Sequence, residues 1–134
     1  MPGYSGTPLP KKLGIKDGKR VYLVAAPSAV VSELKISLAQ CEILKESKSP
    51  IDFAMLFTKS AAELKKEFLK ISKALAPAGM LWVSWPKKSS GVATDLNEDL
   101  IREIGLAAGL VDVKVCAVTE VWSGLKFVRR VKDR

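Results

Sequence analysis

"IDFAMLFTKSAAELKKEFLKISKALAPAGMLWVSW", residues 51–85, is the stretch whose reading decides the fold. It opens with "IDFAMLFT", a nearly continuous apolar run of the kind that forms a strand covered on both faces. Ser60 and Glu63 follow at capping-box spacing, where each side chain can satisfy a free backbone donor at a helix start. Leu64, Phe68, Ile71 and Leu75 then recur at helical spacing and predict one apolar stripe facing a sheet. Lys65, Lys66, Lys70 and Lys73 occupy the other side, where solvation explains them. "APAG" closes this helix, and "MLWVSW", residues 80–85, reads as another buried strand. Two buried strands joined by an amphipathic helix make a βαβ unit, and its strands run parallel.

Upstream the same rhythm holds. "VYLVAA", residues 21–26, predicts a buried strand; Pro27 breaks it, and Ser28 is placed to cap a helix through "AVVSELK". "QCEILKE" gives a weaker strand around residues 41–45, and "SKSP" a loop. Nearer the start, Thr7 as cap, Pro8 in the first turn and Gly14 as stop predict a short helix. Downstream, Asp95 and Glu98 form a second capping-box pair ahead of Leu96, Leu100, Ile101 and Ile104, with Gly109 ending that helix. "VDVKVCAV" and "GLKFVRRV" are then two strands joined by "TEVWS". That connection is too short for a crossover, so they run antiparallel.

Alternating strands and helices with a terminal hairpin specify an α/β domain: a three-layer, mostly parallel sheet with an antiparallel C-terminal strand. A chain of 134 residues suffices for one compact domain and is too short for two, so residues 1–134 are expected to form a single unit, with 1–19 as an arm packed on it. Apolar content of 48% with 27% charged residues is that of a globular protein rather than a disordered one. No apolar run approaches the ~20 residues that span a bilayer, and the N-terminus lacks the apolar core of a signal peptide. The expectation is a cytoplasmic protein with no membrane partner. In that compartment Cys41 and Cys116, each inside an apolar pattern, are expected to be buried thiols rather than a disulfide.

A net charge of +8 raises the question of nucleic acid. Three clusters stand out among the basic residues: Lys11 to Arg20, Lys65 to Lys73 and Arg129 to Arg134. Dispersed in this way, and without a recognition motif, they argue against a specific nucleic-acid partner and favour at most weak, salt-sensitive association.

The run from Asp52 to Trp85, the following helix, "AAGLVDVKV" and the final hairpin resemble the C-terminal half of Rossmann-like methyltransferases. That resemblance implies a sheet of about six strands in the order 2-1-3-4-6-5. It also implies S-adenosylmethionine, but a glycine-rich turn would have to follow the first strand, and this chain has "AAPSAV" there. Glu46, beyond the second strand, is the one acid in place for a ribose, and an exposed glutamate explains it as well. No cofactor is expected. A second resemblance covers nearly the whole chain: "GYSGTPLPKKLGI", "WPKKSSGVATDLNED" and "GLVDVKVCAVTEVWSGLKFVRR" resemble an uncharacterised bacterial family, the domain of unknown function 3052. It implies a small stand-alone domain and assigns no catalytic residue.

The chemistry must therefore come from the residues. The chain has no histidine, which removes the commonest general base and metal ligand, and two distant cysteines make no zinc site. "PKKSSG" lacks the glycine spacing of a phosphate-binding P-loop. Neither a catalytic set nor a metal site is expected. In open α/β sheets, however, ligands sit beyond the carboxyl ends of the strands. The loops expected there bring together Ser28, Thr58, Lys59, Ser60, Trp85, Lys87, Lys88, Ser89 and Ser90. Donors and positive charge without carboxylates favour a phosphate or carboxylate, and at most one of the adjacent Lys87 and Lys88 is expected to face it. Trp82 and Trp85, three apart on one strand, should point to opposite faces, and Trp122 in the hairpin turn is a candidate for a partner surface. The preferred expectation is a non-catalytic binding or regulatory domain for a small anion or a protein partner. The alternatives are a divergent transferase of methyltransferase type and electrostatic binding of nucleic acid.

Overall fold

The sheet in the computed structural model, which describes residues 7–134, has six strands in the order β2-β1-β3-β4-β6-β5. Along the chain the elements are α1 (Leu9–Leu13), β1 (Arg20–Val24), α2 (Ser28–Leu38), β2 (Glu42–Leu44), β3 (Ile51–Phe57), α3 (Ala61–Ala74), β4 (Leu75–Pro86), α4 (Glu98–Ala107), β5 (Leu110–Ala117) and β6 (Trp122–Arg129). Short 3-10 turns occupy Lys88–Ser90 and Val131–Asp133. β2, β1, β3 and β4 are parallel, while β6 is antiparallel to both β4 and β5. The expected α/β architecture and strand order are thus present. Residues 1–6 of the expected N-terminal arm lie outside the described residues.

Strand alternation divides the core into two layers. Ala54, Leu56, Leu81, Val83 and Trp85 pack against α3 and α4 through Leu64, Phe68, Ile71 and Ile101. Phe53, Met55, Phe57 and Trp82 face the opposite layer, with Leu13 of α1 and Val30 and Leu34 of α2. Trp82 and Trp85 therefore point to opposite faces, and both are buried. The Trp82 indole N–H donates to the carbonyl of Leu13 at 2.9 Å, which ties α1 to the sheet. A buried indole donor with a partner avoids the desolvation cost of an orphaned one. Trp122, the candidate for a partner surface, is half-buried, its ring edge-on to Phe57 with centroids 5.2 Å apart.

Two glycines permit close approaches. A Cβ on Gly105 of α4 would stand 2.0 Å from the Phe127 ring of β6, so the helix sits down on the sheet only because that atom is missing. A Cβ on Gly79 would come 2.7 Å from the carbonyl oxygen of Ile51. Near that point β3 and β4 shift register, from Ile51↔Leu75 to Phe53↔Met80, so β4 begins directly after α3 rather than beyond "APAG".

The helix caps differ most from expectation. Ser60 does cap α3, its hydroxyl accepting from the Glu63 N–H at 3.3 Å. Asp95 does not cap α4. Asn97 takes that place, accepting from the Leu100 N–H at 2.9 Å, because the helix starts two residues later than the capping-box spacing suggested. Ser28 is the first residue of α2 rather than its cap, a position taken by Pro27, and Pro8 rather than Thr7 precedes α1. Gly14 stops α1 as expected, at φ 78°. The hairpin is antiparallel, with its second strand starting at Trp122 instead of at the following "GL". Cys41 and Cys116 are free thiols, each half-buried rather than fully so. Among the described residues, no helix is long and apolar enough to cross a membrane.

Candidate functional site

The carboxyl ends of β1, β3 and β4 meet at one edge of the sheet, where three loops emerge. In the first, Ala25 adopts φ 56°, left-handed backbone that a side chain makes costly by roughly 1–3 kcal/mol. Pro27 follows at the helix boundary and contributes no N–H. Ser28 lies exposed on this loop.

The second and third loops are sewn together by side-chain hydrogen bonds. Thr58 is buried, its backbone N–H donating to the Ser84 carbonyl at 3.1 Å, and its hydroxyl accepts from the Ser60 N–H at 3.2 Å. The Lys59 carbonyl accepts from the Thr94 hydroxyl at 2.6 Å and from the Asp95 N–H at 3.3 Å. Asp95 in turn accepts the Ala61 N–H at 2.8 Å, so the third loop helps to cap α3. Within the third loop, the Ser90 hydroxyl donates to the Lys87 carbonyl at 2.7 Å and accepts from the Val92 N–H at 3.2 Å. The Lys87 N–H donates to the Val121 carbonyl at 2.8 Å, tying the loop to the hairpin.

These bonds divide the expected site residues. Thr58, Ser60 and Ser90 are occupied in holding the backbone, and Lys59 acts there through its carbonyl while its side chain is exposed. Beyond β4 there is a cleft of about 700 Å³ bordered by Trp85, Lys87 and Lys88, but not by Ser28, Thr58, Lys59, Ser60 or Ser89. Both lysines border it, where one was expected. Lys87 is half-buried on extended backbone, and Lys88 is exposed and opens the 3-10 turn.

Three further polar residues in the lining escaped the sequence reading: Asn97 and Glu98 from the start of α4, and Ser123 from β6. Ser123 arrives by the pairing Trp85↔Ser123, a long-range contact with no local signal. Glu98 brings a carboxylate, but Arg102 lies against it at 2.6 Å. Arg102 also pairs with Asp112 at 2.9 Å and Asp99 at 3.2 Å. Hydrogen bonds to Asp112 and Glu98 hold the guanidinium above its usual range. The carboxylate in the cleft is thus held by a guanidinium that it shares with Asp99 and Asp112, while Lys87 and Lys88 have no ion pair among those formed by the described residues. Lys87 and Lys88 thus set the charge at the border of a cleft whose aromatic residue, Trp85, is almost wholly buried.

The chain belongs to the family of proteins of unknown function DUF3052, which matches residues 11–131. No curated protein matches it. Solved methyltransferase structures share its fold at low identity. The precorrin-6y C5,15-methyltransferase of Geobacter metallireducens superposes with a TM-score of 0.62 at 12% identity, over 91% of this chain and 86% of that one. The 1,6-didemethyltoxoflavin-N1-methyltransferase of Burkholderia thailandensis, solved with S-adenosylhomocysteine, gives 0.62 at 11% over 90% and 74%. The magnesium protoporphyrin IX methyltransferase of Synechocystis, solved with S-adenosylmethionine, gives 0.58 at 10% over 91% and 74%.

Two of these solved proteins carry S-adenosylmethionine or S-adenosylhomocysteine, and the turn after β1 in this chain does not fit such a ligand. Close approach of a ligand to backbone needs glycine and free N–H groups. Here the strained Ala25 carries a Cβ, Ala26 another, and Pro27 offers a ring in place of a donor.

Proposed function

We propose that this member of the DUF3052 family is a non-catalytic, regulatory binding domain whose cleft beyond β4 takes a small anionic molecule. The observation that carries this reading is the convergence of Lys87 and Lys88 on a cleft whose one carboxylate, Glu98, is held by Arg102. A phosphate or carboxylate group meets two ammonium groups there. The loop needs little ordering on binding, because Ser90, Thr94 and Asp95 already fix it, which lowers the entropic cost of association.

Native mass spectrometry of the protein with a nucleotide and metabolite panel tests this directly. Retention of an anionic ligand is expected, and Lys87→Met and Lys88→Met made separately should identify which ammonium holds it. A charge-assisted hydrogen bond is worth roughly 1.5–3 kcal/mol, so removing the main one weakens binding about tenfold or more. Retention of no anion, or undiminished binding by both variants, would refute the reading.

The fold favours a second reading, a divergent transferase of methyltransferase type. The turn at residues 25–28 opposes it, since the part of the scaffold that would hold the cofactor backbone is obstructed by side chains.

A further inference from the structure

Arg20, the lysines of α3 and the basic C-terminal turn, dispersed in sequence, meet at the opposite edge of the sheet, whereas Lys11 and Lys12 lie against the end of β5. Parallel strands put the starts of β1, β3 and β4 together at this opposite edge, and β6, running the other way, delivers its end to the same place. Hydrogen bonds make the surface continuous. The Arg20 guanidinium reaches the carbonyls of Pro50 at 2.6 Å and Lys48 at 3.5 Å, joining β1 to the β2–β3 loop. Ser47 and Ser49 of that loop share a groove of about 390 Å³ with Lys66, Lys70 and Lys73 of α3. Arg129 donates to the carbonyls of Ser72 at 2.5 Å and Leu75 at 2.9 Å, which anchors the basic C-terminal turn against the end of α3.

We propose that this edge is a second, independent binding surface, for the phosphate backbone of duplex nucleic acid without regard to sequence. The groove has three lysines and two serine hydroxyls, and no carboxylate lines it. Lys66 and Lys73 lie about 10 Å apart along the α3 axis, a span that meets about three phosphates of one strand. Lys132 and Arg134 extend the charge beyond Arg129; the nearby acids are Glu42, which pairs with Arg20 at 2.8 Å, Asp52, which accepts the Arg20 N–H, Glu46 and Asp133, and the basic residues outnumber them.

The duplex is favoured over other polyanions by what surrounds the lysines. Every aromatic side chain among the described residues is buried or half-buried, so this edge offers no platform for stacking unpaired bases. A bilayer would need bulky apolar groups to insert. Among the described residues, the exposed bulky apolar groups here are Leu69, Val131 and, on β2, Ile43, each on a separate element, beside a concave groove.

Fluorescence anisotropy with a labelled duplex of about 20 base pairs and random sequence, titrated from about 50 to 200 mM salt, tests the proposal. Three proteins are compared with the parent: Lys66→Gln/Lys70→Gln/Lys73→Gln, Lys132→Gln/Arg134→Gln on the C-terminal turn, and Lys87→Met/Lys88→Met at the other edge. Glutamine keeps the helix propensity of lysine, and circular dichroism checks that α3 is intact. The α3 variant is expected to bind at least tenfold more weakly at the lower salt. Its plot of log affinity against log salt should flatten by roughly 0.9 for each phosphate that the variant no longer neutralises. The C-terminal pair should flatten it less, and the Lys87/Lys88 pair should leave the slope unchanged. Equal losses from both edges would reduce the effect to net charge and overturn the proposal. So would undiminished binding by the α3 and C-terminal variants, or capture by phosphatidylserine vesicles with no binding to duplex. The C-terminal pair leaves α3 untouched and tests the surface even if the triple variant is unstable.

Discussion

Asp95 accepts the backbone N–H of Ala61 at 2.8 Å across 34 residues of sequence, so a side chain from the loop before α4 serves the first turn of α3. A carboxylate at a helix N-terminus satisfies an orphan donor and meets the positive end of the helix dipole. The same residue locks the loop that carries Lys87 and Lys88. Asp95→Ala should therefore cost about 1 kcal/mol of stability and also weaken ligand binding in the cleft, while Asp95→Asn, which keeps an acceptor, should cost less. Urea denaturation of the two variants measures this. Equal midpoints for Asp95→Ala and the parent would show the bond to be worth nothing.

Gly105→Ala sets helix propensity against packing. Alanine in a helix interior is favoured over glycine by about 1 kcal/mol. Here the new Cβ would overlap the Phe127 ring, which already packs edge-on with Phe68 at 5.1 Å between centroids. With Phe127 fully buried, overpacking should win, for a net loss of about 1–3 kcal/mol. Adding Phe127→Leu should recover part of that loss. The coupling in this double-mutant cycle is the readout, and strict additivity would show that the clash is not the cause.

Cys116 supplies a pH dependence whose sign is fixed by burial. Desolvation raises its thiol above the ordinary value of 9.0, against the smaller opposing pull of Lys12 and Lys114. Below pH 9.0 the thiol is protonated in folded and unfolded chains alike and contributes nothing. As pH rises through that value, the unfolded chain releases its proton first, so stability is lost. Lys126 works the other way: desolvation first, and Lys114 second, lower it from 10.5, so its contribution recovers as pH rises toward that value. Melting temperatures of the parent and Cys116→Ala, followed from neutral to alkaline pH, should converge or cross in favour of alanine as pH passes 9.0. A difference that stays constant across that range would contradict the assignment.

S-adenosylmethionine should not bind at physiological concentration, because the turn at residues 25–28 has side chains where close backbone approach would be needed. Isothermal titration is expected to give no saturable heat. A dissociation constant of about 10 μM or tighter would restore the transferase reading. Replacing Ala25 by glycine should relieve left-handed strain and raise stability by roughly 1 kcal/mol, without creating the cofactor site.

The sequence alone determined the parts governed by near neighbours. Helical spacing of Leu64, Phe68 and Ile71, the Ser60 cap and the apolar runs of β3 and β4 specified a βαβ unit, and a short connection forced the final hairpin antiparallel. Those signals are readable because periodicity, capping and turn length act over a few residues. The region of the candidate site was also legible, since α/β topology sends ligands to the strand ends. Which side chains line it was not. Thr58, Ser60 and Ser90 were drawn into backbone hydrogen bonds, Asp95 left its own helix for another, and Ser123 and Glu98 came into the lining through strand pairing and helix packing. The tertiary structure likewise brought Arg20, the α3 lysines and Arg129 onto one edge. Each of these outcomes depends on distances in space between residues far apart in the chain, which local pattern does not encode.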